Sequence, residues 1–340
     1  MGHSTRTIAA VAALGIGMSL AACGGSSSGD SGSGGGKKVQ LALVAYSTPQ
    51  AAFQELIKAF QKTPAGKNIT FTQSYGASGD QSRSVASGLK ADVVDFSLEP
   101  DVTRLVKAGL VASDWNSNPQ HGFITDSVVT ITTRKGNPKN LKDWPDLIKP
   151  GIQVITPNPS TSGGARWNIL AGYGAASAKG TNQPAGVDYI KSLLKNVPVQ
   201  DDSGRKALQT FVGGKGDAVI TYENEAIFAQ QKGQPVDYTV PNSTILIENP
   251  IAVTKNSAHP AEAKAFVDYL YSTAGQAIWA KNGYRPTVAG VAGADKFPKP
   301  AGLFTIKDLG GWDKVTTDFF DPQKGIVTGI EKSLGVSTGK

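Results

Sequence analysis

A serine followed by two glycines stands where a predicted strand passes into a predicted helix, and this arrangement can bind an anion. The run Thr161–Trp167 (TSGGARW) follows a short apolar segment that ends in Pro157-Asn158-Pro159, and apolar residues then recur at helical spacing. The first N–H groups of a helix have no partners within the helix, and glycine lets a ligand approach them closely. The aligned peptide dipoles add about half a positive charge at that end. The segment therefore predicts a backbone cradle for an oxyanion, although a plain glycine-rich turn with a serine cap would look the same.

Four other segments place a polar or small residue directly before a predicted helix. Any one of them is weak evidence for a site. Several that meet in one cleft would form a site rich in hydrogen-bond donors, suited to a small and fully ionised oxyanion. The four segments are Tyr46-Ser47, Ala77-Ser78-Gly79, Ser203-Gly204-Arg205 and Thr221-Tyr222.

Residues for metal, nucleophilic or nucleotide chemistry do not form a recognisable pattern. The three histidines include no pair at helical ligand spacing, and the single cysteine excludes an intrachain disulfide. Neither a nucleophile elbow nor a phosphate-binding loop motif occurs. Glu223 and Glu225 stand two residues apart in a predicted first helical turn, so we expect them to cap that helix rather than to act as paired catalytic carboxylates. We expect no enzyme activity, no metal and no cofactor.

The chain is mildly basic, with 34 Lys+Arg against 27 Asp+Glu and a formal net charge of +7. Its basic residues are scattered and do not alternate with aromatic residues as a nucleic-acid-binding groove requires. Long-range attraction of small anions agrees with this distribution at least as well as nucleic-acid binding does.

The first 37 residues are predicted to be an export signal, a lipidation site and a tether. Arg6 precedes an apolar stretch that is too short for a typical membrane-spanning helix. Leu20-Ala21-Ala22-Cys23 resembles the lipobox of bacterial lipoproteins, which implies cleavage before Cys23 and acylation of that residue; an ordinary secretory signal with an incidental cysteine is the alternative. The Gly/Ser segment that follows predicts a flexible tether with a reach of about 20 Å. We therefore expect an extracytoplasmic protein anchored to the cell membrane.

From Lys38 onward, predicted strands and helices alternate, as in α/β proteins with largely parallel sheets. The β-branched run Ser127–Thr133 predicts a strand that could pass between two lobes, and helices are expected at Pro260–Tyr271 and Thr273–Asn282. Ser47 is expected to be the N-cap of the first helix. Ligands of such sheets bind at the carboxyl ends of strands, where the polar segments described above lie.

Several segments between Lys38 and about Lys332 carry a resemblance to a known family. They are Ser74–Gly79, Arg134–Pro138, Trp144–Gly151, Val154–Asn168, Glu223–Ala226, Asn282–Pro286, Leu303–Ile306 and Gly310–Trp312. The combination of Pro-Asn-Pro, Ser-Gly-Gly-Ala-Arg-Trp and Tyr-Arg-Pro in these segments is specific. On these segments the sequence resembles the sulfate-binding proteins of bacterial ABC importers.

The resemblance implies an α/β protein with the two-lobed type II periplasmic-binding-protein fold, in which two mixed or parallel sheets are flanked by helices and joined by crossover strands. The implied division is a signal peptide at 1–22, a lipidated cysteine and tether at 23–37, a first lobe formed by 38–120 with 252–340, and a second lobe at 121–251. The implied protein is a monomer that holds a dehydrated sulfate in the cleft and delivers it to a membrane permease.

In that family, hydrogen bonds that come mostly from backbone N–H groups hold the sulfate, and no cationic side chain contacts it. Three positions of this sequence depart from the family: Asp is usual at Ser47, Ala at Gly204 and Trp at Tyr222. Arg166 and Arg205 are expected to orient loops or to form salt bridges with neighbouring residues rather than to contact the ligand. The implied donors are Ser162, Gly163 and Gly164 of the Ser-Gly-Gly motif, the hydroxyl of Ser78, and Ser47, Gly204 and Tyr222.

Asp80, Asp201 and Asp202 are expected to cap helices, which would leave the site with donors only. Sulfate carries acceptors only, whereas a protonated phosphate must also donate, and an unpaired buried polar group costs about 1–3 kcal/mol. Sequence spacing does not measure a cavity, so thiosulfate, molybdate and phosphate remain alternative ligands. A secreted enzyme acting on sulfated or phosphorylated substrates is the alternative of a different class.

Overall fold

The computed structural model describes residues 38–338, and the predicted signal, Cys23 and the tether lie outside them. The strands are β1 Val39–Tyr46, β2 Ile69–Gly76, β3 Val93–Asp95, β4 Phe123–Arg134, β5 Val154–Ile155, β6 Ala218–Tyr222, β7 Val236–Thr239, β8 Leu246–Val253 and β9 Arg285–Pro286. The helices are α1 Gln50–Phe60, α2 Ser78–Ala86, α3 Glu99–Lys107, α4 Gly163–Ala176, α5 Gln183–Lys195, α6 Gly204–Val212, α7 Glu223–Gln231, α8 Pro260–Tyr271, α9 Thr273–Lys281, α10 Gly311–Phe320 and α11 Ile326–Ser333. Among these helices, none combines the length and the apolar character needed to cross a bilayer.

The two long strands β4 and β8 connect two groups of strands. β1 pairs in parallel with β2 and β3, and the last residues of β8 add antiparallel to β3; we call these the first sheet group. The second sheet group consists of β5, β6 and β7 with the carboxyl half of β4. The remaining halves of β4 and β8 pair with each other between the groups. The predicted crossover strand and the predicted mixed sheets are confirmed. The expectation of largely parallel sheets is wrong, because β4 and β8 pair antiparallel with each of their partner strands.

Apolar side chains cover both faces of these sheets. α1, α8 and α9 bury Phe53, Phe266 and Trp279 against one face of the first group, and α3 buries Val102 and Leu105 against the other face. α4 and α5 cover the second group from one side, and α6 and α7 cover it from the other. α1, α3 and α6 each present one apolar face because their buried apolar residues recur every three or four positions, whereas α4 is buried over most of its surface.

The carboxyl-terminal segment packs on α4 rather than on the first sheet group. Trp312 of α10 meets Trp167 of α4 edge-on with ring centroids 4.7 Å apart, and Phe319 meets Tyr173 at the same distance. α11 adds Val327 to this core. The predicted division assigned this segment to the first lobe, so its packing argues for a different boundary, and the lobe limits stay a prediction.

Most predicted elements are present, with differences at their ends. α8 and α9 begin where predicted. The N-cap of α1 is Pro49 and not Ser47. Ser47 makes no side-chain cap hydrogen bond to this helix. The two short apolar runs around Pro250 form the single strand β8. Proline in β8 is compatible with the ladder because it lies where β8 changes from one partner strand to the other.

The contact between α4 and α5 depends on a glycine and supplies the first prediction. A Cβ atom added at Gly172 would lie 2.3 Å from a ring carbon of Tyr189. We expect Gly172→Ala to lower the free energy of unfolding by about 1–3 kcal/mol, because the ring has to move within a packed core. Gly329→Ala in α11 is the matched control, because nothing lies within 4 Å of its added Cβ; it should be neutral or stabilising by up to about 1 kcal/mol. Urea denaturation measures both, and equal stability of the Gly172 variant and the wild type would contradict this packing.

Candidate oxyanion-binding site

A small cavity of about 20 Å³ lies between the two sheet groups, at the starts of four helices. α2, α4, α6 and α7 begin beside it, and the exit of β1 forms another wall. Its lining includes no Lys, Arg, His, Asp or Glu side chain. The fourteen lining residues are Tyr46, Ser47, Thr48, Ala77, Ser78, Ser97, Pro157, Ser162, Gly163, Gly164, Asn168, Gly204, Thr221 and Tyr222.

Five of the predicted site residues in this lining have a backbone N–H group that donates no hydrogen bond within residues 38–338. Four of them are in the first turns of α2, α4 and α6, where a helix leaves its N–H groups without internal partners. Their dipoles add positive potential at the same point. The residues are Ser47, Ser78, Gly163, Gly164 and Gly204. All seven predicted site residues therefore line one cavity, since Ser162 and Tyr222 line it as well.

The serine hydroxyls of the site have different roles from those predicted. Ser78 Oγ donates to Asp101 Oδ2 at 2.6 Å and accepts from the backbone N–H of Ser97 at 2.9 Å, so its one proton is already used. Ser162 Oγ accepts from the N–H of Ala165 at 3.3 Å as the N-cap of α4, which leaves its proton available. The backbone N–H of Ser162 is bonded to Asn158 O at 2.8 Å. The free hydroxyl donor is therefore on Ser162, and Ser78 offers its N–H.

Tyr222 closes the cavity from the second sheet group. Its hydroxyl lies 2.6 Å from Ser97 Oγ, and either oxygen can donate. Burial raises the pKa of Tyr222 well above its ordinary value, so the hydroxyl keeps its proton at neutral pH. The pair shares one hydrogen bond, which leaves the second hydroxyl proton free to bond a ligand. Tyr46, whose buried hydroxyl has no partner among the described residues, lies with its ring 6.4 Å from that of Tyr222.

Sequence reasoning missed Ser97 and Tyr46. Ser97 stands two residues after the end of β3, so it is one more polar residue near a strand exit, and the rule that selected Ser47 could have found it. Tyr46 is the last residue of β1 and was grouped with Ser47 only as part of a segment. An aromatic residue at the end of an apolar strand is typical of a hydrophobic core, so the sequence pattern does not indicate that its hydroxyl group has a role in a site.

The two arginines beside the cradle do not line the cavity. Arg205 donates to both carboxylate oxygens of Glu225 at 2.8 and 2.7 Å and to Thr48 O at 2.8 Å. Burial lowers the pKa of Arg205, but the Glu225 carboxylate outweighs this effect and raises the pKa above its ordinary value. Arg166 donates to Pro159 O at 2.9 Å and lies over the Phe320 ring.

The acidic residues near the site form ion pairs instead of the predicted helix caps. Glu225 pairs with Arg205, and Glu223 pairs with Arg285 at 2.7 Å, with both carboxylates buried. A carboxylate that caps an exposed helix start stays in contact with water, whereas a buried carboxylate needs a cationic partner. The three aspartates are not caps either: Asp80 pairs with Arg83, Asp202 pairs with Lys206, and Asp201 accepts from Thr210. Within residues 38–338, no cluster of three or more His, Cys, Asp and Glu could hold a metal ion.

Residues 41–285 match the family described as bacterial extracellular solute-binding protein. The chain belongs to this family. It is 42% identical to the sulfate-binding protein of Synechococcus elongatus over 316 residues, which cover 89% of each chain. It is 37% identical to a thiosulfate-binding protein of Pseudomonas aeruginosa, over 83% of this chain and 89% of that one. The structure of the sulfate-binding protein SubI from Mycobacterium tuberculosis H37Rv superposes with a TM-score of 0.81 at 48% identity, over 83% of this chain and all of that one.

These similarities agree with the architecture described above. Other solved structures with the same fold are periplasmic binding proteins at 18–20% identity, and they show the fold alone. The protein therefore has the type II periplasmic-binding-protein fold, and its family acts outside the cytoplasm. The named relatives are binding proteins rather than enzymes.

The buried pair Arg205–Glu225 supplies a second prediction. Glu225 is fully buried, and its replacement by glutamine would leave the Arg205 guanidinium with an uncompensated charge. We expect Glu225→Gln to lower the free energy of unfolding by about 3–5 kcal/mol. Asp202→Asn, which breaks the exposed pair with Lys206, should leave stability unchanged. Chemical denaturation at neutral pH compares the two, and equal effects would show that the buried pair has no special role.

Proposed function

We propose that this protein is the sulfate-binding component of an ABC importer, and that sulfate occupies the cavity between the sheet groups. The observation that carries the proposal is the convergence of five unbonded N–H groups on a cavity without a charged side chain. The hydroxyls of Ser162 and of the Ser97–Tyr222 pair add two more donors. A site of this kind stabilises an anion by dipoles alone.

Sulfate fits such a site because its oxygens are acceptors only and its two charges spread over all four. Several helix starts then share the stabilisation of the charge, and no buried cation has to be neutralised when the site is empty. A protonated phosphate would need an acceptor. The Asp101 carboxylate, which contacts the lining through Ser78, already accepts from the Ser78 hydroxyl. A phosphate proton left without a partner would cost about 1–3 kcal/mol.

Thiosulfate is proposed as a second and weaker ligand. It has the same tetrahedral shape and charge, but one vertex is a larger sulfur that accepts hydrogen bonds less well. A thiosulfate-binding relative lies at 37% identity, below the 42% of the sulfate-binding relative from S. elongatus. Molybdate has longer bonds than sulfate, so the small cavity disfavours it.

The partner in this proposal is the permease of the importer, which receives sulfate when the lobes open. We propose that a lipid on Cys23 anchors the protein at the outer face of the cell membrane and that the protein acts as a monomer. The support for the anchor is the Leu20-Ala21-Ala22-Cys23 sequence, and the Gly/Ser segment after it would let the folded part reach the permease.

Calorimetric titration tests the ligand. The chain without residues 1–22, carrying Cys23→Ser to prevent lipidation, is dialysed exhaustively against sulfate-free buffer and titrated with sulfate. We expect a dissociation constant of about 1 μM or lower, equivalent to roughly −8 kcal/mol. Phosphate should give no binding, and thiosulfate should compete with sulfate. If phosphate binds as tightly as sulfate, an acceptor is present in the site and the proposed ligand is wrong.

Two neighbouring glycines test the cavity. A Cβ at Gly163 would lie 2.6 Å from Ser97 Oγ and 2.7 Å from Leu98 Cγ, which belong to the opposite side of the site. Gly163→Ala should therefore weaken sulfate binding by about a hundredfold or more, roughly 3 kcal/mol. At Gly164 the nearest atoms to the added Cβ belong to Ser162 and Tyr222 and lie 3.5 Å or more away, an ordinary contact.

Gly164→Ala is the matched control and should change the affinity by less than about tenfold. Both variants are measured by the same titration, with thermal unfolding to confirm that each is folded. Unchanged affinity in the Gly163 variant would refute the location of the site.

A further inference from the structure

The two sides of the cavity also bond directly to each other. Gly79, the second residue of α2, donates its backbone N–H to Thr161 O at 3.0 Å. α2 follows β2 of the first sheet group, whereas Thr161 precedes Ser162 at the start of α4, beside the second group. This bond therefore links the helix that presents the Ser78 N–H to the loop that presents the Ser162 hydroxyl.

A corresponding link runs in the opposite direction on the other side of the cavity. Arg205, the second residue of α6, donates its side-chain Nη2 to Thr48 O at 2.8 Å, and its backbone N–H lies 3.4 Å from Ser47 Oγ. Thr48 and Ser47 follow β1 of the first sheet group. The link joins the helix that presents the Gly204 N–H to the segment that presents the Ser47 N–H.

The two links share one pattern. In α2 and in α6, the first residue keeps an unbonded N–H at the cavity, and the second residue bonds the opposite side. An anion held by Ser78 and Gly204 therefore fixes the two helices whose next residues hold the cleft closed. Binding and closure are coupled through adjacent residues of one helical turn.

Gly79 is suited to this role by the absence of a side chain. A Cβ at this position would lie 2.9 Å from Thr161 O, closer than such atoms approach in folded proteins. Its φ is not in the left-handed region, so an alanine would be compatible with the helix itself. The contact across the cleft, rather than the local backbone, requires glycine here.

We propose that Gly79 and Arg205 are positioning residues that form a reciprocal clasp across the anion site. The clasp stabilises the closed state and holds the Ser162 and Ser47 segments against the ligand, without contacting it. The Arg83 side chain, 3.4 Å from Ser160 O, supports the Gly79 link from the outside. The inference rests on the proposed function in that sulfate is the anion used to measure it.

The first test compares Gly79→Ala with Gly76→Ala in the Cys23→Ser chain lacking residues 1–22. Gly76 is the last residue of β2, and the nearest atoms to an added Cβ there belong to the Gln81 side chain, at 3.4 Å or more. We expect Gly79→Ala to weaken sulfate binding by about tenfold or more, mainly through faster dissociation, because the closed state is less populated. Its stability without ligand should not fall, since alanine favours a helix over glycine. Gly76→Ala should bind as the wild type does.

The second test measures closure without relying on sulfate affinity. Spin labels at Ser87→Cys and Lys215→Cys, both exposed and on opposite sheet groups, report the distance between the two sides, and the Cys23→Ser chain has no other cysteine. Relative to the labelled wild type, Gly79→Ala should shift the distance distribution towards longer values in ligand-free protein, at sub-saturating sulfate, or in both.

The outcomes separate this inference from the proposed function. If the wild type does not bind sulfate but Gly79→Ala lengthens the distance, the ligand is wrong and the clasp is supported. If the variant has the distance distribution of the wild type at every sulfate concentration, the clasp is wrong, whether or not sulfate binds. A variant that unfolds at a lower temperature than Gly76→Ala without ligand would also overturn it, because Gly79 would then be needed for the fold itself.

Discussion

The proposed anion site depends on hydrogen-bond donors gathered at a cavity whose lining includes no charged side chain. Such a site needs hydrogen-bond donors that have no other partner, and in a folded protein these are scarce, because nearly all buried N–H groups are bonded. The starts of helices are the exception, since their first N–H groups have no internal acceptor. A fold that brings three helix starts and a strand exit to one point collects enough of them. The alternation of strands and helices serves this need, because every strand exit at one edge of a sheet can lead into a helix.

The charged residues near the cavity are arranged so that they do not disturb it. Arg205 is held by Glu225, and Arg285 by Glu223, so two cations and two carboxylates are neutralised in pairs. Burial alone raises the pKa of Glu223, and the Arg285 guanidinium partly opposes this rise. An unpaired carboxylate here would repel an anion, and an unpaired arginine would bind anions less selectively, since a cation attracts any of them. Because these charges are paired, recognition of the anion depends on N–H and hydroxyl donors, whose hydrogen bonds have fixed directions.

Local sequence signals were sufficient for most of the elements and for several residues that line the cavity. The Ser-Gly-Gly segment after Pro157-Asn158-Pro159 predicted the start of α4, and the polar residues at strand exits predicted the cavity lining. The details that required contacts between distant parts of the chain could not be predicted. Ser78 and Ser162 look alike in sequence, and only the neighbouring Asp101, brought near by α3, determines which hydroxyl is free. The packing of Trp312 on Trp167 likewise joins residues that are far apart in the chain.

The glycines of the site have a steric role that their sequence context does not show. Glycine beside a helix start suggests room for a ligand, which was the sequence-based interpretation. In the structure, Gly79 and Gly163 instead make room for the opposite side of the cleft, through Thr161 O and Ser97 Oγ, whereas Gly164 has ordinary contacts. A binding protein that surrounds its ligand has to bring two backbones within a few ångströms of each other. The tightest constraint on side-chain size therefore lies where the segments of the two sheet groups meet across the cavity.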